Sequence, residues 1–245
     1  MYSTKIWAHR GASGYAPENT IEAFRLAAEQ GADGVELDVQ MTKDGQLVVI
    51  HDESIDRVSN GTGLVKDYTL EELRRFNFNK THPQYIHVQI PTLEEVYQCL
   101  KPYGIIINVE LKTGFIWYEG LEEAVVTLTR KMGLTDRVIY SSFNHLSIAR
   151  VRELDPDAHT AILFIDVMSD TVGYAQRIGV EALHPAVFHL KMKDLMDQWV
   201  NSSLKVNVWT VNEEADMKLF MKAGVNAIIT NYPNLALSIR KEMDR

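Results

Sequence analysis

Short apolar runs of five to seven residues recur along the chain, separated by amphipathic stretches with helical spacing. Runs of this length, bounded by turn residues, are typical of buried β-strands. The predicted strands are IWAHR (6–10), GVELDV (34–39), LVVIHD (47–52), IIINVEL (105–111), VIYSSF (138–143), HTAILF (159–164), EALHP (181–185), VNVWTV (206–211) and AIITNY (227–232).

The link from helix to strand has a repeated form. In four places an amphipathic stretch ends at a glycine, and two or three residues later an apolar run begins. These glycines are Gly31, Gly133, Gly179 and Gly224. A glycine just past a helix is typical of a left-handed helix cap, and a short loop into a strand is the usual connection of α/β units. The repetition predicts a parallel sheet with helical crossovers.

The second and third predicted strands are too close for a crossover helix. Only residues 40–46, QMTKDGQ, separate them, and Asp44-Gly45 is a strong signal for a tight hairpin. We therefore expect the third strand to return antiparallel to the second. Eight strands then remain, the number that closes a (β/α)₈ TIM barrel. An open, doubly wound sheet is the alternative, but no glycine-rich dinucleotide loop supports it.

Residues 53–92 interrupt the strand–helix alternation. They contain turn signals and one predicted short helix at TLEELRRF, but no clear barrel strand. Loops of this length are usually functional or independently packed. We interpret the segment as a small insertion after the hairpin that covers one face of a single TIM-barrel domain, residues 1–245.

The net charge and the apolar content of the chain exclude some classes of binding partner. The net charge of −8 argues against binding to nucleic acid and against stable association with anionic membranes. Five residues precede the first apolar run, which leaves no room for a signal peptide, and no run approaches the ~18 apolar residues of a membrane span. We therefore expect a cytoplasmic protein. Oligomeric state is not predicted by any feature of the sequence.

Three acidic residues lie at the carboxyl ends of predicted strands, where TIM barrels carry their active sites. Glu36 and Asp38 are two residues apart and face the same side of one strand, and Glu110 ends the next parallel strand. Adjacent carboxylates repel unless a cation lies between them or one is protonated. Oxygen ligands suit one Mg²⁺ or Ca²⁺ ion. A solvated acidic rim is the alternative, and no Cys/His set with zinc spacing is present.

Two histidines also reach this edge. The first strand ends in His9 and Arg10, and a guanidinium suits phosphate oxygens. With a two-residue turn at Asp44-Gly45, Asp38 would face His51, although a one-residue bulge would spoil that pairing.

The residues after Arg10 are small enough for a close approach by a ligand or by backbone, and the start of a helix follows them. Small residues, GASG, let a ligand or backbone come near. Asn19 can cap the following helix, with Glu22 completing a capping box. A ligand-binding role for Asn19 is the alternative.

The sequence resembles the glycerophosphodiester phosphodiesterases, a family within the phospholipase C-like phosphodiesterase barrels. The stretch HRGASGYAPENTIEAFRLAAEQGADGVELDVQMTKDGQLVVIHD carries the likeness, and IPTLEEV, INVELK, SSFN and VWTVN follow in the expected order. The resemblance covers most of the chain. It implies hydrolysis of glycerophosphodiesters to sn-glycerol 3-phosphate and an alcohol, with one bound divalent cation.

The resemblance also implies roles for individual residues. His9 and His51 would be the acid/base pair, and Glu36, Asp38 and Glu110 would hold the metal. Arg10 and Lys112 would lie near the phosphate, and Glu18, Asn19 and Trp209 would line or support the pocket. One departure is TNYPN, where Asn231 stands at a position that is often Asp in the family.

The residues themselves fit this chemistry. A cation with Arg10 and Lys112 can offset the charge that develops on a phosphodiester, and histidine can give or take the required protons near neutral pH. Phe143 and Trp209 could form an apolar wall for the substrate or belong to the upper core, and His184 could line the pocket. The alternatives are a lysophospholipase D-like enzyme and a non-catalytic barrel that binds a phosphorylated ligand. Retention of both histidines argues against the latter.

Overall fold

The parallel strands close into a barrel. The structure is a computed structural model that describes residues 2–245, apart from the side chain of Lys193. Its strands in chain order are β1 (Lys5–His9), β2 (Gly34–Met41), β3 (Leu47–Val49), β4 (Ile106–Leu111), β5 (Val138–Ser142), β6 (His159–Phe164), β7 (Ala182–Pro185), β8 (Lys205–Val208) and β9 (Ala227–Thr230). Every strand except β3 pairs in parallel with two neighbours in the ring, and β1 closes it by pairing with both β2 and β9. The predicted (β/α)₈ architecture is confirmed.

Helices cover the outside of the barrel. They are α1 (Ile21–Glu29), α2 (Leu70–Leu73), α3 (Leu93–Leu100), α4 (Leu121–Met132), α5 (His145–Leu154), α6 (Thr171–Ile178), α7 (Val187–Leu190), α8 (Lys193–Val200), α9 (Glu214–Ala223) and α10 (Pro233–Met243). The glycines predicted to follow helices all have positive φ, as a left-handed cap requires. Among the described residues, no helix combines the length and apolarity needed to cross a membrane.

The hairpin between β2 and β3 is antiparallel, as predicted, but its register differs by one residue. Val39 pairs with Val49, and the Ile50 N–H donates to the Asp38 carbonyl oxygen at 2.9 Å, so Asp38 does not face His51. The expected two-residue turn is a three-residue loop, residues 43–45, closed by a bond from Thr42 N to Gln46 O at 3.0 Å. Gly45 takes the left-handed conformation that this loop type requires.

Residues 53–92 build a layer of their own beside the hairpin. The predicted short helix is present as α2, and Thr69 and Glu72 form a capping box at its start. Apolar side chains of the segment pack with Val48 of β3 and with Ile50 in a small core separate from those of the barrel. The segment contributes Ile55, Val58, Val65, Leu73, Phe78, Val88 and Ile90 to it. Because the segment begins directly after His51 and Asp52, its fold determines where that part of the chain leaves the hairpin.

Gly11 permits a close approach between the end of β1 and the first helix. Its φ is +78°, and a Cβ at this position would lie 2.6 Å from the backbone carbon of Ala23 in α1. Both the backbone conformation and the space therefore require glycine. This explains why the sequence becomes so small directly after Arg10.

We expect Gly11→Ala to lower the free energy of unfolding by at least about 2 kcal/mol, because left-handed strain and overpacking add. Gly31→Ala is the matched control: its φ is +85°, but no described atom lies within 4 Å of its Cβ position. The control should cost only about 1 kcal/mol. Chemical denaturation of both variants measures the difference, and equal losses would contradict the role of close packing at Gly11.

Candidate active site

Three buried carboxylates meet at the carboxyl ends of β2 and β4. Asp38 and Glu110 are direct partners in the parallel ladder, and Glu36 lies two residues before Asp38 on β2. One carboxylate oxygen from each residue lies within 4.8 Å of the others. The convergence follows from the strand register, because parallel neighbours end at the same edge of the barrel.

The electrostatics of this cluster favour a cation. Burial, followed by the charge of Asp38, raises the pKa of Glu36 well above its usual value, and burial is also the main cause of the raised pKa of Glu110. Burial acts in the same direction on Asp38, but the nearby positive charges, led by His51 and Arg10, lower the pKa of Asp38. Asp38 Oδ1 is buried and has no hydrogen-bond partner among the described residues. An all-oxygen set with an unpartnered oxygen could hold a divalent cation.

Two basic side chains border the carboxylates. Lys112 Nζ lies 3.1 Å from Glu110 Oε1 and 4.0 Å from Asp38 Oδ1. Arg10 Nε lies 3.5 Å from Asp38 Oδ2, and Arg10 Nη1 donates to Glu18 Oε1 at 2.9 Å. The backbone N–H of Arg10 also donates to Glu36 Oε2 at 3.0 Å. Positive charge therefore lies directly beside the candidate metal ligands, where an anionic substrate would need it.

Asn19 does not cap the first helix, which corrects the capping-box prediction. The N-cap of α1 is Thr20, whose hydroxyl accepts from the Ala23 N–H. Asn19 has a φ of 57°, whereas an N-cap residue is normally extended. Its Nδ2 instead donates to Asp38 Oδ2 at 2.8 Å. Asn19 therefore orients a candidate metal ligand.

His9 faces the carboxylates from the end of β1. Its Nδ1 is hydrogen-bonded to Asn231 Oδ1 at 2.7 Å, and its Nε2 lies 3.9 Å from Glu36 Oε2. Because an amide oxygen only accepts, the proton is on Nδ1 and Nε2 carries the free lone pair. Burial, and then the charge of Arg10, lowers the pKa of His9 to about 4.

His51 has a different, charged partner. Its Nδ1 is hydrogen-bonded to Asp52 Oδ1 at 2.6 Å. Arg57, from the segment after the hairpin, contacts Asp52 Oδ2 through Nε at 2.7 Å and bonds both oxygens of Glu18. Burial acts to raise the pKa of Asp52, but hydrogen bonds from Arg57 and His51 outweigh it and lower that pKa to about 2. Asp52 is therefore an anion beside the imidazole.

The position of His51 depends on the side chain of Gln40. The chain leaves the β2–β3 ladder at this point, and Gln40 Nε2 donates to the carbonyl oxygens of Ile50, His51 and Asp52 at 3.2, 3.0 and 2.7 Å. The Tyr118 hydroxyl in turn donates to Gln40 Oε1 at 2.9 Å. These bonds hold the backbone at His51, which lines the same cavity as Glu36 and Glu110 although the register is shifted by one residue.

One cavity is lined by both histidines, by Arg10 and by two of the three carboxylates, Glu36 and Glu110. Its volume is about 50 Å³, and its lining residues are His9, Arg10, Glu36, His51, Asn108, Glu110, Phe143, Leu163, His184, Trp209 and Ile229. Phe143 and Trp209 form an edge-to-face pair with centroids 5.6 Å apart, and the Trp209 Nε1–H donates to the His184 carbonyl oxygen at 2.7 Å. Both rings therefore contribute apolar surface to the lining of the cavity.

Several contributing residues are absent from the sequence-based site. Asp52, Gln40, Arg57 and Asn108 all contact or line the site. Asp52 had a local signal, because a carboxylate directly after a candidate catalytic histidine often orients its ring. The others had none, since their roles arise from tertiary contacts.

Comparison with known proteins places this geometry in a family. The family model described as "Glycerophosphoryl diester phosphodiesterase family" matches residues 9–235. A glycerophosphodiester phosphodiesterase of Caldanaerobacter subterraneus subsp. tengcongensis is 40% identical over 96% of this chain and 97% of its own. One from Bacillus altitudinis is 41% identical over 98% and 99%.

Solved structures agree with the sequence matches. An Oleispira antarctica phosphodiesterase in complex with the product sn-glycerol-3-phosphate superposes with a TM-score of 0.83 at 28% identity, over 98% of both chains. These matches confirm the resemblance indicated by the sequence motifs. The chain belongs to the glycerophosphoryl diester phosphodiesterase family of enzymes.

Proposed function

We propose that this protein hydrolyses glycerophosphodiesters to sn-glycerol 3-phosphate and an alcohol, using one divalent cation and two histidines. The observation that carries the proposal is the buried cluster of Glu36, Asp38 and Glu110. Glu36 and Glu110 line the same cavity as His9, and Asp38 lies beside it. The Oleispira antarctica phosphodiesterase binds sn-glycerol-3-phosphate as its product.

Glu36, Asp38 and Glu110 are the proposed ligands of the cation, which is Mg²⁺ or Ca²⁺ because all three donors are hard oxygens. When bound, the cation supplies positive charge for the phosphoryl oxygens. Arg10 and Lys112 add to that charge from the same side, and Asn19 keeps Asp38 oriented through its 2.8 Å bond. Glu18 supports Arg10 and joins it to Arg57.

The hydrogen-bond partners of the two histidines suggest a division of labour. His9 is bonded to the neutral amide of Asn231 and exposes an unprotonated Nε2, so we assign it as the general base that takes the proton of the attacking hydroxyl. The Asp52 carboxylate accepts a hydrogen bond from His51 Nδ1–H and so orients the ring, and we assign His51 as the acid that protonates the leaving alkoxide. The attacking hydroxyl belongs to the substrate or to water.

Product analysis on glycerophosphocholine, with and without chelator, tests the activity. The expected result is sn-glycerol 3-phosphate and choline, formed only when the cation is present. Absence of turnover across a panel of glycerophosphodiesters with Mg²⁺ or Ca²⁺ would refute the proposed activity and leave the two alternatives, a lysophospholipase D-like enzyme and a non-catalytic binding barrel. The cytoplasmic location also stays a prediction, which cell fractionation can check.

A second candidate, lysophospholipase D-like activity, is favoured by exposed apolar side chains at the mouth of the barrel. We name as the apolar rim the exposed large hydrophobic residues in the segments after β4 to β7: Phe115, Trp117, Phe143, Leu146, Ile165, Val167, Phe188 and Met192. The four strands are neighbours, so these segments form one arc. Phe143 also lines the cavity, which connects the rim to the site. Such an arc could hold the acyl chain of a lysophospholipid.

Replacing Phe115 and Trp117 together with serine should lower kcat/KM for a lysophospholipid at least about 10-fold, because each aromatic ring can bury apolar surface against an acyl chain. The value for glycerophosphocholine should stay unchanged. Ile86→Ser is the control, since Ile86 is also exposed but lies in residues 53–92. An equal loss with both substrates, or with the control, would count against this second activity.

A further inference from the structure

The floor of the cavity is polar although it lies deep between the strands. Asn108 belongs to β4 and His184 to β7, and both line the cavity at only 1% and 0% exposure. Buried polar atoms in folded proteins are nearly always hydrogen-bonded, because an unpaired one loses its water without compensation. The hydrogen bonds of these two side chains therefore define what the floor can offer a ligand.

The bonding of His184 places its proton on Nδ1. Asn207 Oδ1 accepts from Asn226 Nδ2 at 2.6 Å, so Asn207 Nδ2 is the donor to His184 Nε2 at 2.8 Å. A neutral imidazole that accepts on one nitrogen carries its proton on the other. Burial lowers the pKa of His184 to about 3, which keeps the ring neutral. Its Nδ1–H has no acceptor within the described part of the chain.

Asn108 offers the opposite function. Its Nδ2 donates to Ser141 Oγ at 3.0 Å, so its Oδ1 is the free end of the amide. That oxygen is buried and receives no hydrogen bond from any residue among 2–245. One unpartnered donor and one unpartnered acceptor thus belong to side chains lining the same cavity of about 50 Å³.

We propose that Asn108 and His184 form a hydroxyl-binding subsite that holds the primary hydroxyl of the substrate's glycerol group. This inference rests on the proposed function. A hydroxyl both accepts and donates, so it complements a floor with one group of each kind. The small cavity suits this group, and the leaving alcohol then extends toward the mouth.

The strand geometry selects the primary hydroxyl. Asn108 lies two residues before Glu110 on β4, about 6.6 Å deeper along the strand. With the phosphate at the carboxylates, the secondary hydroxyl stays close to the phosphorus. Only the far end of the three-carbon chain extends toward the floor.

The test compares glycerophosphocholine with its 1-deoxy analogue, a propane-1,2-diol phosphodiester, in the enzyme with its cation. We expect wild type to prefer the natural diester at least about 10-fold in kcat/KM, since a site built to bond a hydroxyl rejects an analogue that lacks it. In His184→Phe and in Asn108→Ala, the preference should fall to within about 3-fold. These variants lack a hydrogen bond to the primary hydroxyl, so the natural diester loses affinity while the analogue, which has no such hydroxyl, does not.

Thr160→Val is the matched control. Thr160 is equally buried and its Oγ1 is also unpartnered among described residues, but it lies outside this cavity. It should retain the wild-type preference. Where a variant does not fold, the inhibition constants of sn-glycerol 3-phosphate and propane-1,2-diol 1-phosphate are compared on wild type. We expect the first compound to inhibit more strongly, and equal inhibition overturns the subsite. Equal turnover of both diesters by wild type refutes the subsite alone, whereas no turnover of either refutes the proposed function and the subsite with it.

Discussion

His51→Ala should lower turnover of glycerophosphocholine by about 100- to 10,000-fold, the usual contribution of a general acid or base. The same variant should hydrolyse the p-nitrophenyl ester of sn-glycerol 3-phosphate at nearly the wild-type rate, because p-nitrophenolate leaves without a proton. His9→Ala should lose activity on both substrates, since the nucleophile must be deprotonated in either case. Steady-state kinetics on the two substrates measures these four values.

The control for both variants is His159→Ala. His159 starts β6, at the opposite end of the barrel, and its Nδ1 is bonded to Glu181 Oε1 at 2.9 Å, so it forms a similar histidine–carboxylate pair away from the cavity. This variant should retain full activity. If His9→Ala and His51→Ala both stayed within a few-fold of wild type on the natural substrate, the acid/base mechanism would be wrong. Equal losses on both substrates would remove only the assignment of roles.

Removing the cation with a chelator should abolish turnover, and adding Mg²⁺ or Ca²⁺ should restore it. Without the cation, the three carboxylates are buried side by side, and burial, followed by the charge of Asp38, raises the pKa of Glu36 and Glu110. Glu110→Gln should weaken cation binding at least about 100-fold, since loss of even an outer-shell partner can cost 10- to 100-fold. Calorimetric titration of the metal-free protein measures the affinity.

Glu181→Gln provides the comparison for this substitution. Glu181 is paired with His159 and Lys205 beside the amino ends of β6 and β8, far along the chain from the cluster. It should bind the cation like wild type. Full activity of rigorously metal-free protein would refute the proposed cofactor, and unchanged affinity in Glu110→Gln would remove Glu110 from the ligand set.

The sequence predicts the barrel well because its signals are local. Four of the crossovers show an apolar run, an amphipathic helix and a glycine, and parallel strands can follow such units only in a few ways. The register of the hairpin, in contrast, is not determined by a local signal. Asp44-Gly45 occurs in both two- and three-residue loops, and the choice depends on contacts such as the bond from Gln46 N to the Thr42 hydroxyl.

In the candidate site, too, some residues could be predicted from the sequence and others depend on tertiary contacts. Glu36, Asp38 and Glu110 could be found because strand ends converge by topology alone. Asn19 and Thr20 are both good N-cap residues, and only the left-handed φ of Asn19 and its bond to Asp38 decide between them. Arg57 reaches Glu18 across 39 positions of sequence, a contact that no periodicity indicates.

Exposed hairpin loops ordinarily tolerate insertions and deletions, but the loop at residues 43–45 is an exception. A change of one residue there would shift β3 against β2 and exchange the side chains on its two faces. Gln40 could then no longer hold the three carbonyl groups that place His51. The length of this surface loop therefore constrains the position of His51, and engineering of the loop should preserve it.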